Sequence, residues 1–255
     1  MTKSPLLFLF GACGLAAAGA FFMAGSSAAD SDSQPVLAEL FTSQGCSSCP
    51  EADQIWSNLQ SRNDVVALSF NIDYWDYIGW KDTLARHENT LRQQAYAKDM
   101  PSRQVYTPQV IVDGVDDVVG NERAKLVTAI DRRVASSRGK RLPVSLSTSG
   151  NVVHVKIGAG AAGEAAVIWV AHTSSSKTVK IGRGENAGRA MTYTNVVRDF
   201  SQAGAWNGQA VVLDVPARGA SPTDSDGVAV WVQAKEHGKE QGAAQVRLAA
   251  PASGE

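Results

Sequence analysis

The stretch VLAELFTSQGCSSCP, residues 36–50, changes its pattern twice. Residues 36–41 form an almost continuous apolar run, which is typical of a buried strand, and a short turn follows it. Beyond the turn, apolar side chains recur at the spacing of an amphipathic helix, at Ala52, Ile55, Trp56 and Leu59. The stretch therefore predicts a strand and a helix that are joined by a turn carrying two cysteines, Cys46 and Cys49.

Two residues separate these cysteines, and a disulfide can join residues whose Cα atoms lie within about 7 Å of each other. At the start of a helix, unpaired N–H groups and the positive end of the helix dipole favour a thiolate, the form that attacks disulfides. Cys46 is therefore the predicted nucleophile and Cys49 the resolving thiol. The acidic Glu51 and Asp53 follow closely and partly oppose the stabilisation of a Cys46 thiolate.

The N-terminus predicts a secretory signal peptide over residues 1–29. An uncharged apolar run at 6–24 is followed by small residues that offer a cleavage site ahead of a polar segment. The run is also long enough for an uncleaved membrane anchor, but the small residues favour cleavage. Cleavage would remove Cys13 and leave Cys46 and Cys49 as the cysteines of the mature chain. Export to the periplasm or the medium would place them where a disulfide can form.

The formal net charge of the chain is −1 at pH 7. A near-neutral balance gives no reason to expect nucleic acid or an anionic membrane surface as a partner. Beyond the N-terminal segment, no stretch has the length and apolarity of a membrane span. A closed zinc site needs four ligands, and the histidines have no ligand spacing to the cysteines, so we expect no metal and no cofactor.

The first half of the chain alternates strands and helices. After the first helix, the pattern predicts a strand at 65–72, a helix at 82–100, strands at 109–112 and 115–119, and a helix that ends near 135. Thr107-Pro108 leads into the third of the predicted strands, and Asp113-Gly114 is a strong signal for the tight turn after it. We place the limits of this first domain at 34–136.

Beyond residue 139, short apolar runs alternate with clusters of Gly, Asn, Ser and Asp. These runs predict strands at 143–147, 152–157, 166–172, 177–181, 211–215, 228–234 and 245–248. Frequent short strands are typical of a β-sandwich, so we expect an all-β sandwich-like domain at 139–248 and a disordered tail at 249–255.

The order strand, CxxC, helix, strand, helix, Thr-Pro, hairpin and helix resembles thioredoxin, as do the stretches VLAELFTSQGCSSC and YTPQVIVDG. The resemblance implies an α/β thioredoxin-like domain in which Pro108 is cis and Thr107 offers its backbone to an extended substrate. It also implies that Glu39 is a buried acid that moves the proton of the resolving cysteine. A trans proline at the start of an edge strand and an outward-facing Glu39 are the ordinary alternatives.

Longer motifs run through nearly all of the mature chain: FTSQGCSSCP, DYWDYIGW at 73–80, YTPQ at 106–109, GEN at 184–186 and NVVR at 195–198. Together they resemble an exported bacterial family, domain of unknown function 1223. Membership implies a thioredoxin-like domain with a β-rich second domain, and it implies no established substrate.

Two loops are candidates for lying close to the cysteine pair and contributing to its site. The aromatic run at 73–80 would end near the cysteines, so Trp75 and its neighbours can form a lip that binds a partner polypeptide, with ordinary packing as the alternative. The glycine-rich loop at 182–189 lacks the lysine and the helix of a phosphate loop. It is either a plain connection or the carrier of an arginine, Arg183 or Arg189, that reaches the Cys46 face.

The sequence thus predicts an exported thiol–disulfide oxidoreductase that acts on a thiol- or disulfide-bearing protein. Its predicted site residues are the catalytic Cys46, Cys49 and Glu39 and the substrate-binding Thr107, Pro108 and Trp75. Three alternatives stay open. A structural staple is disfavoured because closing so short a loop removes little unfolded-state entropy. A copper-handling module would use both thiols and a histidine, since soft thiolates suit copper. An interaction scaffold would keep a buried disulfide that resists reduction.

Overall fold

The structure, a computed structural model, describes Met1 and residues 34–161, 165–220, 224–235 and 237–248. The predicted signal segment beyond Met1 and the predicted tail lie outside these residues. No helix in the described ranges has the length and apolarity that a membrane crossing requires.

The chain folds into strands and helices in the following order: β1 (Val36–Thr42), α1 (Cys49–Leu59), β2 (Val65–Asn71), α2 (His87–Asp99), β3 (Gln109–Val112), β4 (Asp116–Val119), α3 (Arg123–Ser137), β5 (Val144–Ser149), β6 (Val152–Ile157), β7 (Ala166–Lys180), β8 (Ala190–Trp206), β9 (Val211–Pro216), β10 (Gly227–Ala234) and β11 (Glu240–Arg247). A 3-10 turn, Asp76–Ile78, lies between β2 and α2. Helix α1 begins at Cys49 rather than at Cys46, and α2 begins at His87 rather than near residue 82.

Strands from both halves of the chain form one mixed eight-stranded sheet, in the order β11-β10-β7-β8-β2-β1-β3-β4. Strand β2 runs parallel to β1 on one side and parallel to β8 on the other, where Ser69 is the partner of Val196. Strands β5, β6 and β9 form a separate antiparallel sheet.

The expectation of an α/β thioredoxin-like domain followed by an all-β sandwich-like domain is therefore wrong. Without β8, strand β2 would be the edge of a small sheet with unpaired backbone groups. Strand β8 covers this edge: Ser69 Oγ donates to the Thr194 carbonyl at 2.8 Å, and Asn195 Nδ2 donates to the Ala67 carbonyl at 3.0 Å. The predicted domain limits, at 136 and 139, fall at the end of α3 and stay a prediction.

Two long strands, β7 and β8, connect the two halves of the chain in one sheet. Strand β7 has 15 residues and β8 has 17, and they pair antiparallel along almost their whole length. The sequence pattern predicted two short strands, 166–172 and 177–181, because the serine run 174–176 interrupts the apolar alternation. In the structure the ladder continues through the serines, and the Ser175 N–H donates to Asp226 Oδ1 at 2.7 Å.

The central strands β1 and β2 of the eight-stranded sheet are buried on both faces. One face packs against α1 and α3 through a cluster that includes Leu40, Ala52, Ile55, Trp56, Val110 and Ile130. The other face has a cluster that includes Leu37, Phe41, Phe70, Tyr96, Trp169 and Trp231. A third cluster joins β7 and β10 to the three-stranded sheet, and it includes Val153, Val155, Ile168, Trp206 and Val230. Alternation along β1 thus directs Leu40 toward α1 and Glu39 toward the opposite face.

Candidate functional site

Cys46 and Cys49 form a disulfide at the start of α1, with Cα atoms 5.4 Å apart. Cys46 lies in the turn that precedes the helix, and its carbonyl accepts a hydrogen bond from the Cys49 N–H at 3.3 Å. Pro50 lies in the first turn of α1, where a missing N–H leaves no helical bond unmade. The chain direction of β1 and the N-terminus of α1 therefore place both cysteines at one end of the sheet.

Both cysteines are buried in this conformation. Cys46 is 2 % exposed and Cys49 is fully buried, whereas Ser47 and Ser48 between them are exposed. The Ser48 hydroxyl lies 3.4 Å from the Sγ atom of Cys46. A partner sulfur can therefore reach Cys46 only after the groups that cover it have moved.

The peptide bond between Thr107 and Pro108 is cis, as the resemblance implied. The Thr107 carbonyl oxygen lies 3.7 Å from Cys46 Sγ, and the Thr107 hydroxyl oxygen accepts a hydrogen bond from Trp75 Nε1 at 2.7 Å. Trp75 also packs on the turn before the cysteines, because a Cβ atom at Gly45 would lie 3.1 Å from the Trp75 Cβ. The structure therefore brings Thr107, Pro108 and Trp75 together beside Cys46.

Glu39 is buried on the face of the sheet that lies away from α1, so the structure does not bring it to the cysteines. Its carboxylate accepts from Arg92 Nε at 2.6 Å and from Arg92 Nη2 at 3.1 Å, and it also accepts from the Tyr96 hydroxyl. The resemblance implied a buried Glu39, but it did not indicate on which face of the sheet the side chain would lie, and both faces of this strand are covered.

A different buried acid shares the helix with the cysteines. Asp53 is 5 % exposed and follows Cys49 by four residues in α1, which places the two side chains on the same helical face. Its Oδ1 accepts from the Thr42 hydroxyl at 2.9 Å, and its Oδ2 has no hydrogen-bond partner in the structure. Burial raises the pKa of Asp53 to about 8, the hydrogen bond from Thr42 opposes this effect, and the charge of Asp82 adds to it.

The turn before the cysteines is held by the segment after β2. Asp82 Oδ2 accepts from the Gln44 N–H at 2.8 Å and from Asn71 Nδ2 at 3.0 Å. The Gln44 side-chain oxygen accepts from Trp80 Nε1 at 2.8 Å. Tyr77, by contrast, is 80 % exposed and stacks on Trp75 with a centroid separation of 6.2 Å. The aromatic run therefore packs through Tyr74 and its two tryptophans and leaves Tyr77 at the surface beside Trp75.

The glycine-rich loop at 182–189 does reach the cysteine turn. The buried Asn186 donates from Nδ2 to the carbonyls of Gln44 and Cys46, at 2.9 Å in each case. The Ser47 N–H donates to Glu185 Oε2 at 3.2 Å. The loop is thus attached to the backbone on both sides of Cys46, and it comes from the second half of the chain.

The family described as protein of unknown function (DUF1223) matches residues 37–233. The chain belongs to the DUF1223 family. The crystal structure of protein AGR_C_4864 from Agrobacterium tumefaciens is similar to it, with 34 % sequence identity, a TM-score of 0.74, and coverage of 86 % of this chain and 96 % of that one. A superoxide reductase from Giardia intestinalis aligns with 43 % of this chain and 99 % of its own length at 13 % identity. Its TM-score of 0.22 is too low to indicate a shared fold. No curated protein matches the chain.

The arginines of this DUF1223 loop do not contact the disulfide. Arg189 Nη1 donates to Asn186 Oδ1 at 3.2 Å, and in the described part of the chain no hydrogen bond joins Arg183 or Arg189 to a cysteine sulfur. The expected arginine contact is therefore absent there, and Glu185 and Asn186 contact the turn instead.

The histidines of the DUF1223 chain lie in other surroundings. His87, His154 and His172 are hydrogen bonded to Asp73, Asp214 and Asp199, and the His237 ring lies against Tyr96. Within the described ranges, no group of three or more His, Cys, Asp or Glu side chains is arranged to hold a metal ion. The copper alternative required a histidine beside both thiols, and the fold brings none of these four there.

Sequence reasoning did not predict the surroundings of two residues near the cysteines of this DUF1223 chain. Asp53 was visible as an acid on the buried stripe of α1, because it shares that stripe with Cys49 and Trp56. Asn186 belongs to the GEN motif of the family resemblance, but the residues that it contacts, Gln44 and Cys46, are 142 and 140 residues away in the sequence. A separation of this size is comparable with the length of a domain.

Proposed function

We propose that this DUF1223 protein is an exported thiol–disulfide oxidoreductase whose reactive pair is Cys46 and Cys49. One observation carries the proposal: the disulfide lies at the start of α1 with a buried acid, Asp53, one helical turn further along. Exchange at a buried cysteine needs a group that delivers and removes a proton, whereas a structural staple needs none.

Asp53 is suited to that task by its proton affinity. Its pKa of about 8 lies close to the value of about 8.5 for a free thiol. Proton transfer between Asp53 and Cys49 would therefore be nearly balanced in both directions, which is the condition for effective acid–base catalysis. Glu39, paired with Arg92 on the other face of the sheet, has no part in the proposed reaction.

The proposed reaction begins from the disulfide. A partner thiolate attacks Cys46 Sγ, the Cys46–Cys49 bond breaks, and Cys49 leaves as a thiolate that takes a proton from Asp53. A second thiolate of the partner then attacks the partner sulfur of the mixed disulfide and releases Cys46 as a thiolate. The partner loses two electrons and gains a disulfide, while the protein gains two electrons and becomes a dithiol. The reverse sequence would reduce a partner disulfide.

The partner would approach the surface formed by Thr107, Trp75 and the exposed serines. The Thr107 carbonyl beside Cys46 offers an acceptor to an N–H group of an extended chain, and Trp75 fixes the Thr107 side chain. Export by the signal segment at 1–29 would bring the pair into contact with proteins that carry disulfides.

A trapping experiment tests the proposal. In Cys49→Ser the mixed disulfide at Cys46 has no resolving thiol, so covalent adducts should persist when the reduced variant meets disulfide-bonded periplasmic proteins. Dithiothreitol should release them, and mass spectrometry should map them to Cys46. The matched control is Cys46→Ser, which keeps the more deeply buried thiol and should form none. Equal adducts from both variants, or none from Cys49→Ser, would contradict the proposal.

A second candidate, an interaction scaffold with an inert disulfide, is favoured by the burial of both cysteines. The two candidates differ in how the native protein responds to a reductant. An exchange-active disulfide is reduced by dithiothreitol while the protein is folded, as followed by thiol alkylation and mass spectrometry. An inert disulfide is reduced only after urea has unfolded the chain.

A further inference from the structure

The carboxylate of Glu185 lies beside Ser47, the residue that follows Cys46. Its Oε2 accepts from the Ser47 N–H at 3.2 Å. In the described part of the chain, it is the one charged side chain that is hydrogen bonded to the segment from Cys46 to Cys49. A charge at this position acts on any group that approaches Cys46, since the interaction between two charges grows as their separation falls.

The loop holds Glu185 in this place. Asn186, which is 1 % exposed, is bonded to the Gln44 and Cys46 carbonyls. On the other side, Gly184 has φ +76°, and a Cβ atom there would lie 3.3 Å from the Trp80 Cβ. Glu185 therefore lies between two residues whose positions are fixed by packing and hydrogen bonds.

The two arginines of the loop do not neutralise this carboxylate by direct contact. Arg189 donates to Asn186 Oδ1, and no ion pair joins Glu185 to Arg183 or Arg189 among the described residues. Glu51 is a second acid nearby, in the first turn of α1, but its side chain is exposed and lies beyond Cys49.

We propose that Glu185 determines substrate specificity at the disulfide, favouring partners with a positive charge beside their cysteine and disfavouring those with a negative charge. The inference rests on the proposed exchange at Cys46. A substrate carbonyl that took over the Ser47 N–H would have to displace the Glu185 carboxylate, and a flanking ammonium or guanidinium group would then hold that carboxylate nearby.

Small disulfides of different charge isolate this effect. The chain without residues 1–29, which lacks Cys13, is reduced and freed of reductant, and it reacts with a disulfide RSSR in two steps. The Cys46 thiolate attacks one sulfur and releases RS⁻, and the Cys49 thiolate then attacks Cys46 Sγ, re-forms the protein disulfide and releases the second RS⁻. The probes are cystamine with two ammonium groups, hydroxyethyl disulfide without charge, and dithiodipropionate with two carboxylates.

The measured quantity is the ratio of the cystamine rate to the dithiodipropionate rate. The rate with the uncharged probe is measured beside it and reports the general reactivity of the cysteine pair. Glu185→Gln keeps the acceptor oxygen for Ser47 and removes the charge. We expect this variant to lower the ratio about three- to tenfold at low ionic strength. Added salt at about 0.5 M should lower the ratio of the unchanged protein in the same direction, because it screens exposed charges.

Glu51→Gln is the matched control, and it should leave the ratio within about a factor of two. The inference is wrong if Glu185→Gln leaves the ratio unchanged while all three probes still react, or if Glu51→Gln lowers it as much. If no probe reacts with any of these proteins, the proposed exchange itself is wrong, and the specificity of Glu185 falls with it. The response to the uncharged probe separates these two failures.

Discussion

At the scale of single residues, the burial of Asp53 lowers stability and is also the basis of its proposed role in proton transfer. A carboxyl group in the interior prefers to be protonated, and this is why its pKa rises from 3.8 to about 8. One of its oxygens has no hydrogen-bond partner, and a buried polar atom without a partner costs stability. The same raised pKa brings Asp53 close to the proton affinity of a thiol, so the cost and the proposed use have one physical cause.

We predict that Asp53→Asn stabilises the protein at alkaline pH. The unfolded chain releases the Asp53 proton near pH 4 but the folded chain keeps it up to about pH 8, so the free energy of unfolding falls across this window and the full cost is present above it. Because a tenfold change in proton affinity corresponds to about 1.4 kcal/mol, the gain at pH 9 should be a few kcal/mol. It should vanish near pH 4.

Urea unfolding at pH 4 and at pH 9 measures this difference, with Glu51→Gln, an exposed acid of the same helix, as the control. In the same variant, reduction of the disulfide should slow about a hundredfold, since general acid catalysis contributes roughly that much. An Asp53→Asn protein that is no more stable at pH 9 than the unchanged protein would contradict the assignment of a buried, protonated Asp53.

At the scale of elements, the β7–β8 hairpin joins the two sheets. His172 of β7 is hydrogen bonded through Nδ1 to Asp199 of β8 at 2.6 Å and through Nε2 to the Pro216 carbonyl of β9 at 3.0 Å. Two acceptors require both ring nitrogens to donate, which only the charged imidazolium can do. Burial alone would lower the pKa of His172, but the Asp199 carboxylate and the Pro216 carbonyl together raise it above 6.5.

We predict that this junction strengthens as the pH falls. A histidine with a raised folded pKa stabilises the fold fully below its unfolded pKa, near 6.5, and the contribution is lost as the pH rises through the folded pKa. His172→Gln should therefore lower the free energy of unfolding by about 1–2 kcal/mol more at pH 5.5 than at pH 9. Thermal or urea unfolding at the two values measures it.

The exposed pair of His154 and Asp214, on β6 and β9, offers a matched comparison for this experiment. Exposed ion pairs contribute little, so His154→Gln should show a pH difference of less than about 1 kcal/mol. If the pH difference for His172→Gln were no larger than the one for His154→Gln, the charged form of His172 would not be what stabilises this junction.

At the scale of the whole molecule, Arg92 ties together strands that are remote in the sequence. Its guanidinium, 1 % exposed, pairs with Glu39 of β1 and also donates to Gln233 of β10 at 3.1 Å. Its Cζ atom lies within 5.0–5.8 Å of the centres of five aromatic rings, those of Phe70, Tyr96, Trp169, Phe200 and Trp231. Tyr96 extends the network to Glu240 of β11. The guanidinium of Arg92 therefore compensates the buried charge of Glu39 and links β1, α2 and β10 at the centre of the continuous sheet.

We predict that Arg92→Met lowers the free energy of unfolding by about 3–5 kcal/mol, because it leaves buried carboxyl groups without their cation. Urea unfolding measures the loss. Arg62→Met is the control: Arg62 pairs with Asp64 and Asp131 at the surface, and its removal should cost at most about 1 kcal/mol. If Arg92→Met unfolded at the same urea concentration as Arg62→Met, the buried network would not be what holds the two halves together.

Local features of the sequence predicted the local features of the structure. The apolar run of β1, the amphipathic α1 and the positive φ of Asp113 and Gly114 at the hairpin turn follow from residues that are neighbours in the chain. The cysteine pair and its place at the start of α1 belong to the same class, because two intervening residues decide whether the sulfurs can meet.

What the tertiary structure decided is which remote groups meet. An apolar run does not specify the partner of its strand, so the sequence could not predict that β8 would pair with β2 and merge both halves into one sheet. For the same reason it left open which face would hold Glu39. Asp53 lies within the cysteine helix, yet only packing buried it, and Asn186 reaches the Cys46 carbonyl across 140 residues. The sequence by itself determined that Cys46 and Cys49 are close enough to form a disulfide, whereas contacts between remote segments determined which groups bury the pair and which charge lies beside it, since these depend on distances in space.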